Sequence, residues 1–221
     1  MRFMLNISIL GPQASGKGTQ ARILKKKFNF FYVEMGALLR KIAKENSPLG
    51  KKVNKIVNQE GVLVSDDVIE LVLEKKLSEV KSDQGIIFDG FPRISSQIKN
   101  LNKILSKLGR KFDFVVFINL PDKLVYERIS GRRICSKCGL IYNIANLSDS
   151  DKEKCQSCGG KLIIRKDDQK EKVERRLRIF KEETLPVINL YREKKMLREV
   201  DGTESIEEVA KEIEGIIKSR L

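Results

Sequence analysis

Apolar residues along this chain follow two rhythms. Continuous runs of strand length occur at 3–10 (FMLNISIL), 86–88 (IIF) and 112–120 (FDFVVFINL), rich in β-branched or aromatic residues and bounded by Gly, Asp or Pro. Between them the spacing turns helical. The stretch from Lys17 to Lys27 carries helix formers, and Ser65 precedes Asp66, Asp67 and the apolar Val68, Ile69, Leu71 and Val72. That order predicts a helix capped by Ser65, with two carboxylates at the positive end of its dipole. Ile98, Leu101, Ile104, Leu105 and Leu108 share one helical face, which Gly109 should end. Asp168 with Glu171, and Ser205 with Glu208, have capping-box spacing and predict two C-terminal helices, with MLREV (196–200) as a last strand between them. Unbroken apolar runs separated by helices predict an α/β fold, a parallel sheet covered on both faces.

Two stretches sit outside that alternation. From 34 to 64 there is helical periodicity in Leu38, Leu39 and Ile42 and again in Val53, Ile56 and Val57, interrupted by Asn46-Ser47-Pro48. From Gly131 to Asp168 the chain carries all four of its cysteines. Both read as small excursions inserted into one main domain, the size that 221 residues allow. There is no internal repeat and no low-complexity tract. No apolar run approaches the roughly 18 residues of a membrane helix. The first apolar run leads straight into a glycine-rich motif, which argues against a cleaved leader and for a cytoplasmic protein.

Charge narrows the partners only slightly. Forty-four basic against 30 acidic residues give +14, which suits nucleic acid, an anionic membrane or phosphorylated small molecules. Aromatics are 6% and Trp is absent, so the interleaved stacking surface of a single-strand binder is missing. Histidine is absent too. That removes Ser-His and Cys-His hydrolysis and any metal site with imidazole ligands, but not phosphoryl transfer, which works by positioning and cations.

Four groups of residues carry chemistry. GPQASGKGT (11–19) places G-x-x-x-x-G-K after a strand and before a helix, the context in which backbone N–H groups cradle phosphates and Lys17 reaches the terminal ones. The hydroxyl expected directly after the lysine is displaced by Gly18 to Thr19. IIFDGFPR (86–93) delivers Asp89 at the C-terminal end of a strand, where ligands of such sheets bind and a carboxylate can hold the waters of Mg²⁺. Arg40, Arg93, Arg128, Arg132, Arg165 and Arg176 sit near element ends, and several guanidinium groups would suit a cleft where two nucleotides bring about five phosphates together, but only a family resemblance singles these six out. Finally, Cys135-x-x-Cys138 and Cys155-x-x-Cys158, sixteen residues apart, have the spacing of a closed four-thiolate zinc site.

With GPQASGKGTQA, MGALLR, GVLVSDDV, FDGFPR and Gln97, ERISGRR, the four-cysteine insertion, RKDD followed by ERRL, and VDGT in this order, the chain resembles the adenylate kinase family in its long bacterial form. The resemblance spans essentially the whole chain. It implies the phosphate-loop nucleoside-monophosphate kinase fold: a core (1–33, 65–130, 169–221), an AMP-binding insertion (34–64) and a zinc-binding lid (131–168). It implies Mg²⁺-dependent, reversible conversion of ATP and AMP to two ADP by a cytoplasmic monomer that engages neither nucleic acid nor membrane.

Roles follow position by position from the same resemblance. Ala14, Ser15, Gly16, Lys17, Gly18 and Thr19 would hold ATP phosphates, with Arg128, Arg132, Ile141, Tyr142 and the backbone near Glu199 as further ATP contacts. AMP would meet Met35, Gly36, Arg40, Val62, Leu63, Val64, Gly90, Phe91, Pro92, Arg93 and Gln97, the last reading adenine. Arg128, Arg165, Arg176, Asp167 and Asp168 would close over the moving phosphoryl group, Asp89 would orient the waters of magnesium, and Cys135, Cys138, Cys155 and Cys158 would hold structural Zn²⁺.

The chain departs from the family pattern at four places. Met35-Gly36-Ala37 stands where Thr-Gly-Asp is usual, Ala14 replaces a glycine and Ile94 replaces a threonine. A kinase with another or broader acceptor and a nucleotide binder without turnover are therefore alternatives within the fold. A zinc-ribbon nucleic-acid binder is the alternative outside it. From 131 to 168 eight basic and five acidic residues leave +3, and four thiolates with one Zn²⁺ bring this to +1, weak for a nucleic-acid clamp.

Overall fold

In the computed structural model, which describes residues 4–56, 64–165 and 168–221, the apolar runs become the middle of a five-stranded sheet. Its strands are β1 (Asn6–Leu10), β2 (Phe31–Glu34), β3 (Ile86–Asp89), β4 (Phe114–Asn119) and β8 (Leu197–Asp201), in the order β2-β3-β1-β4-β8. Every neighbouring pair is parallel. All of β1 and β3 is buried, as expected for strands covered on both faces. Side chains alternate between the layers: Phe88 joins one apolar cluster and Ile87 the other.

The larger cluster packs β3 and β4 against α4 (Asp66–Leu77), α5 (Ser95–Lys107) and α8 (Leu185–Glu193) through Leu73, Leu101, Leu105, Val187 and Ile188. The smaller one packs α1 (Lys17–Phe28) and α9 (Ile206–Lys218) on the opposite face through Ala21, Leu24, Ile213 and Ile217. Truncating any of these fully buried Leu or Ile residues to Ala should cost about 2–5 kcal/mol. Leu71 and Leu108, expected on the core faces of their helices, are instead exposed.

Helix ends explain where the elements stop. Gly109 (φ +66°) donates its N–H to Ser106 O and Arg110 donates to Leu105 O, closing α5 in the left-handed motif that favours glycine. The Ser205–Glu208 capping box forms and opens α9. Two other expected caps do not form. Ser65 stands at the N-cap of α4, but its hydroxyl bonds the Asp67 carboxylate, holding that group below its usual pKa. The N-cap of α7 (Lys170–Ile179) is Gln169 rather than Asp168, because Asp168 is drawn away to Arg132. In the first excursion α2 (Met35–Ile42) and α3 (Pro48–Asn54) lie either side of the expected break, with Ser47 Oγ accepting from Gly50 N–H at 3.0 Å.

After α6 (Asp122–Ser130) the second excursion forms a separate antiparallel sheet of β5 (Arg132–Cys135), β6 (Ile141–Asn143) and β7 (Leu162–Ile163), in the order β6-β5-β7. Its buried centre is small: Cys135, Cys155 and Leu162, with Tyr142 and Leu147 packed alongside. Among the described residues no helix is long and apolar enough to cross a membrane.

Candidate active site

All five strands of the large sheet point their C-terminal ends the same way, and the cavity, about 620 Å³, opens at that end. The loop from Gly11 to Gly16 joins β1 to α1, and Ala14 holds a left-handed φ of +60° within it. A side chain in that conformation costs about 1–2 kcal/mol. The Ala14 methyl packs against the cluster of Leu120, Val125 and Val173. Ser15 Oγ is buried with no hydrogen-bond partner among the described residues. Lys17 donates to Pro12 O at 2.8 Å. Burial lowers its pKa from the usual 10.5 to about 7, an effect that Asp89 opposes and Arg93, Arg176 and Arg132 reinforce. A loop with an orphaned hydroxyl and a desolvated ammonium is built to receive an anion.

Basic side chains converge on this loop from every side. Arg22, Arg40, Arg93, Arg128, Arg132, Arg165 and Arg176 line the cavity with Lys17, against the carboxylates Glu34, Asp89, Glu204 and Glu207. Eight cations and four carboxylates leave a net positive cavity. Specific bonds fix several of them: Arg93 Nε donates to Gly90 O (2.7 Å), Arg128 Nη2 to Gly202 O (2.8 Å) and Arg132 Nε to Asp168 Oδ2 (2.8 Å), with a second Arg132–Asp168 bond beside it. Asp89 is buried, and burial raises its carboxyl above the usual range despite Lys17 and the Tyr32 hydroxyl.

The residues expected from the sequence divide into three groups. Ala14 to Thr19, Gly36, Arg40, Asp89, Arg93, Arg128, Arg132, Ile141, Tyr142, Arg165 and Arg176 all reach the cavity wall. Met35, Val64 and Phe91 lie instead in the large apolar cluster, and Pro92 is buried beside them. Gly90 stands close behind Lys17 and Arg93. Gln97 is buried, with its Oε1 accepting from Arg93 N–H at 2.8 Å. Glu199 is off the wall, bonded to Asn119 and Arg192, while Gly202, Glu204 and Ser205 form the wall just beyond β8. Val62, Leu63 and Asp167 lie outside the described residues. The sequence reading missed Arg22, Glu34, Glu204 and Asn143. Glu34 reaches the wall because it ends β2 beside β3 on the ligand side of the sheet, a placement that no local pattern in FYVE signals.

The four thiols gather at one point, all within 4.8 Å of one another. Cys135 and Cys158 sulfurs are 3.5 Å apart, and those of Cys138 and Cys155 3.6 Å. Zn–S bonds of about 2.3 Å imply tetrahedral edges near 3.8 Å, so the donor set fits zinc. Each pair folds as the same turn, with Gly139 N–H on Cys135 O (3.0 Å) and Gly159 N–H on Cys155 O (2.8 Å). The Tyr142 hydroxyl lies 3.2 Å from Cys155 Sγ and holds that thiol below its usual range, while the neighbouring sulfurs push Cys138 up.

Comparison with known proteins accords with this geometry. The family model for adenylate kinase matches residues 9–196. An adenylate kinase of Thermosipho melanesiensis is 40% identical over 214 residues, covering 97% of this chain and all of the relative. One from Archaeoglobus fulgidus is 38% identical over 214 residues (97% and 98%), and one from Clostridium botulinum 35% over 213 (96% and 98%). A phosphate loop, a ring of arginines and an Asp-bearing strand end, in a chain matched over nearly its full length, lead to one conclusion: the chain belongs to the adenylate kinase family, the nucleoside-monophosphate kinases that pass a phosphoryl group between ATP and AMP.

Proposed function

We propose that the two nucleotides meet in this cavity, ATP on the loop 14–19 with Arg128, Arg132 and the Ile141–Tyr142 wall, and AMP on Arg40 and Arg93. The observation that carries this is the ring of eight basic side chains around one phosphate loop, a charge matched to about five phosphates. Lys17 and Arg93, both beside Asp89, straddle the line along which the phosphoryl group passes. Arg165 and Arg176 neutralise the oxygens on which charge gathers in the loose transition state. No side chain need take a proton early, which is why a chain without histidine serves. Magnesium supplies charge neutralisation between the phosphates when bound, and Asp89 is the carboxylate placed to hold its waters.

In this reading 34–64 is the acceptor-binding insertion and 131–168 a lid, stiffened by zinc on Cys135, Cys138, Cys155 and Cys158. Four sulfur ligands close the metal's coordination, so its role is structural. The protein acts as a cytoplasmic monomer. ADP formation from ATP with AMP, CMP, UMP and GMP tests the assignment: a clear preference for AMP is expected, and equal use of CMP or UMP would sink it in favour of a broader acceptor.

A further inference from the structure

In the parallel ladder between β2 and β3, Glu34 and Asp89 are direct partners. Two carboxylates facing each other across neighbouring strands repel, a modest cost that nearby cations and a shared donor offset. The donor is Tyr32. It lies two residues before Glu34, on the same face of β2, and its hydroxyl sits 2.8 Å from Asp89 Oδ2 and 3.0 Å from Glu34 Oε2, a single donor shared between two acceptors. One proton thus ties the two carboxylates together. On its far side Glu34 faces two cations: Arg40 Nη2 lies 3.2 Å from Oε1, and Arg22 Nη2 lies 3.6 Å from Oε2. At the other end of the relay, Asp89 Oδ2 sits against the phosphate loop, 3.0 Å from where a side chain on Gly18 would begin. The start of α2 offers no carboxylate of its own, since Met35 is buried in the core and position 37 is alanine.

We propose that Glu34 is a positioning residue that orients Arg40 for the acceptor phosphate and, through Tyr32, couples Arg40 to Asp89. The chain Arg40–Glu34–Tyr32–Asp89 joins the acceptor side of the cavity to the magnesium side by charge-assisted hydrogen bonds, each stronger than a neutral one. It rests on the roles assigned above to Arg40 and Asp89. Its strain is electrostatic, and relieving it should not loosen the fold.

The test is steady-state kinetics of the full-length protein with Glu34→Gln, Tyr32→Phe and Arg40→Ala, with melting curves alongside. Glu34→Gln removes a charged hydrogen-bond partner and should raise KM for AMP about tenfold while KM for ATP stays within about twofold. Its melting temperature should hold or rise. Tyr32→Phe should raise the free Mg²⁺ needed for half-maximal rate about threefold and KM for AMP by a smaller factor, and an unmoved KM for AMP would remove the coupling through Tyr32. Arg40→Ala should raise KM for AMP, and Glu34→Gln added to it should do no more. An Arg40→Ala variant with unchanged KM would overturn the assignment of Arg40 itself. If Arg40→Ala acts but Glu34→Gln leaves KM for AMP unchanged or lowers it, Glu34 does not position Arg40. Both KM values rising together with a lowered melting temperature would mark Glu34 as scaffold and equally overturn the proposal.

Discussion

The phosphate loop opens on the cavity and the cysteine segment gathers four thiols, yet the two have very different amounts of apolar core behind them. The loop is clamped between β1 and α1, whose side chains sink into two apolar layers, so the sheet behind it supplies the order and the ligand adds little. The segment 131–168 has a buried centre of three residues, two of them cysteines. At 38 residues it lies at the edge of what folds without a staple, and four thiols take the place of a core. Apolar burial leaves polar groups on the loop free for chemistry, whereas in the segment two of the thiols are themselves the buried centre. Function and stability should therefore separate on mutation.

The sharpest separation comes from Lys17. Replacing it by Ala should cut turnover by about a thousandfold or more, the scale of losing a cation aimed at a transferring phosphoryl group. Because a desolvated ammonium is also removed, the melting temperature should not fall. Turnover near normal would contradict the assignment. Replacing Cys155 and Cys158 by Ser should do the reverse. Structural zinc contributes roughly 10–16 kcal/mol to isolated fingers, so its loss should melt the segment, seen as lost amide protection across 131–168, with turnover falling only secondarily. Abolished activity with an unshifted melting curve would give the metal a catalytic role. The smallest effect is a proton. Burial lowers the Lys17 pKa from 10.5 to about 7, so between those values it binds less proton than an exposed lysine. A triphosphate restores the higher value, and ATP binding at pH 8 should take up a fraction of a proton that is absent at pH 6. Calorimetry in buffers of different ionisation enthalpy reads this directly, and the same uptake in a Lys17→Met variant would place it elsewhere.

Sequence pattern made the large sheet legible because its strands are buried on both faces and read as unbroken apolar runs. β2 escaped for the opposite reason. As an edge strand it is only four residues long, with Phe31, Tyr32 and Glu34 half-exposed, so FYVE has no run to notice. Its omission hid Tyr32 and Glu34, whose meaning comes from the ladder with β3 and from nothing local. The three short strands around the cysteines were equally invisible, since at two to four residues each is too short to show a period. Asp168 shows how tertiary context overrides a local signal. Its spacing to Glu171 suits a cap, yet the pairing with Arg132, thirty-six residues away, takes its carboxylate. The motif residues of the cavity were readable by position. Arg22, on α1 one turn beyond Gly18, needed the helix to be placed first.

The repeated turn around the thiols has a consequence in terms of information. Cys135 to Gly139 and Cys155 to Gly159 each close on themselves through a backbone bond from the glycine to the first cysteine. Each can therefore form without instruction from the other. The specification of the four-thiol cluster is written in these ten positions as two copies of one short word, and Ile141, Tyr142 and Asn143 between them are left to line the cavity.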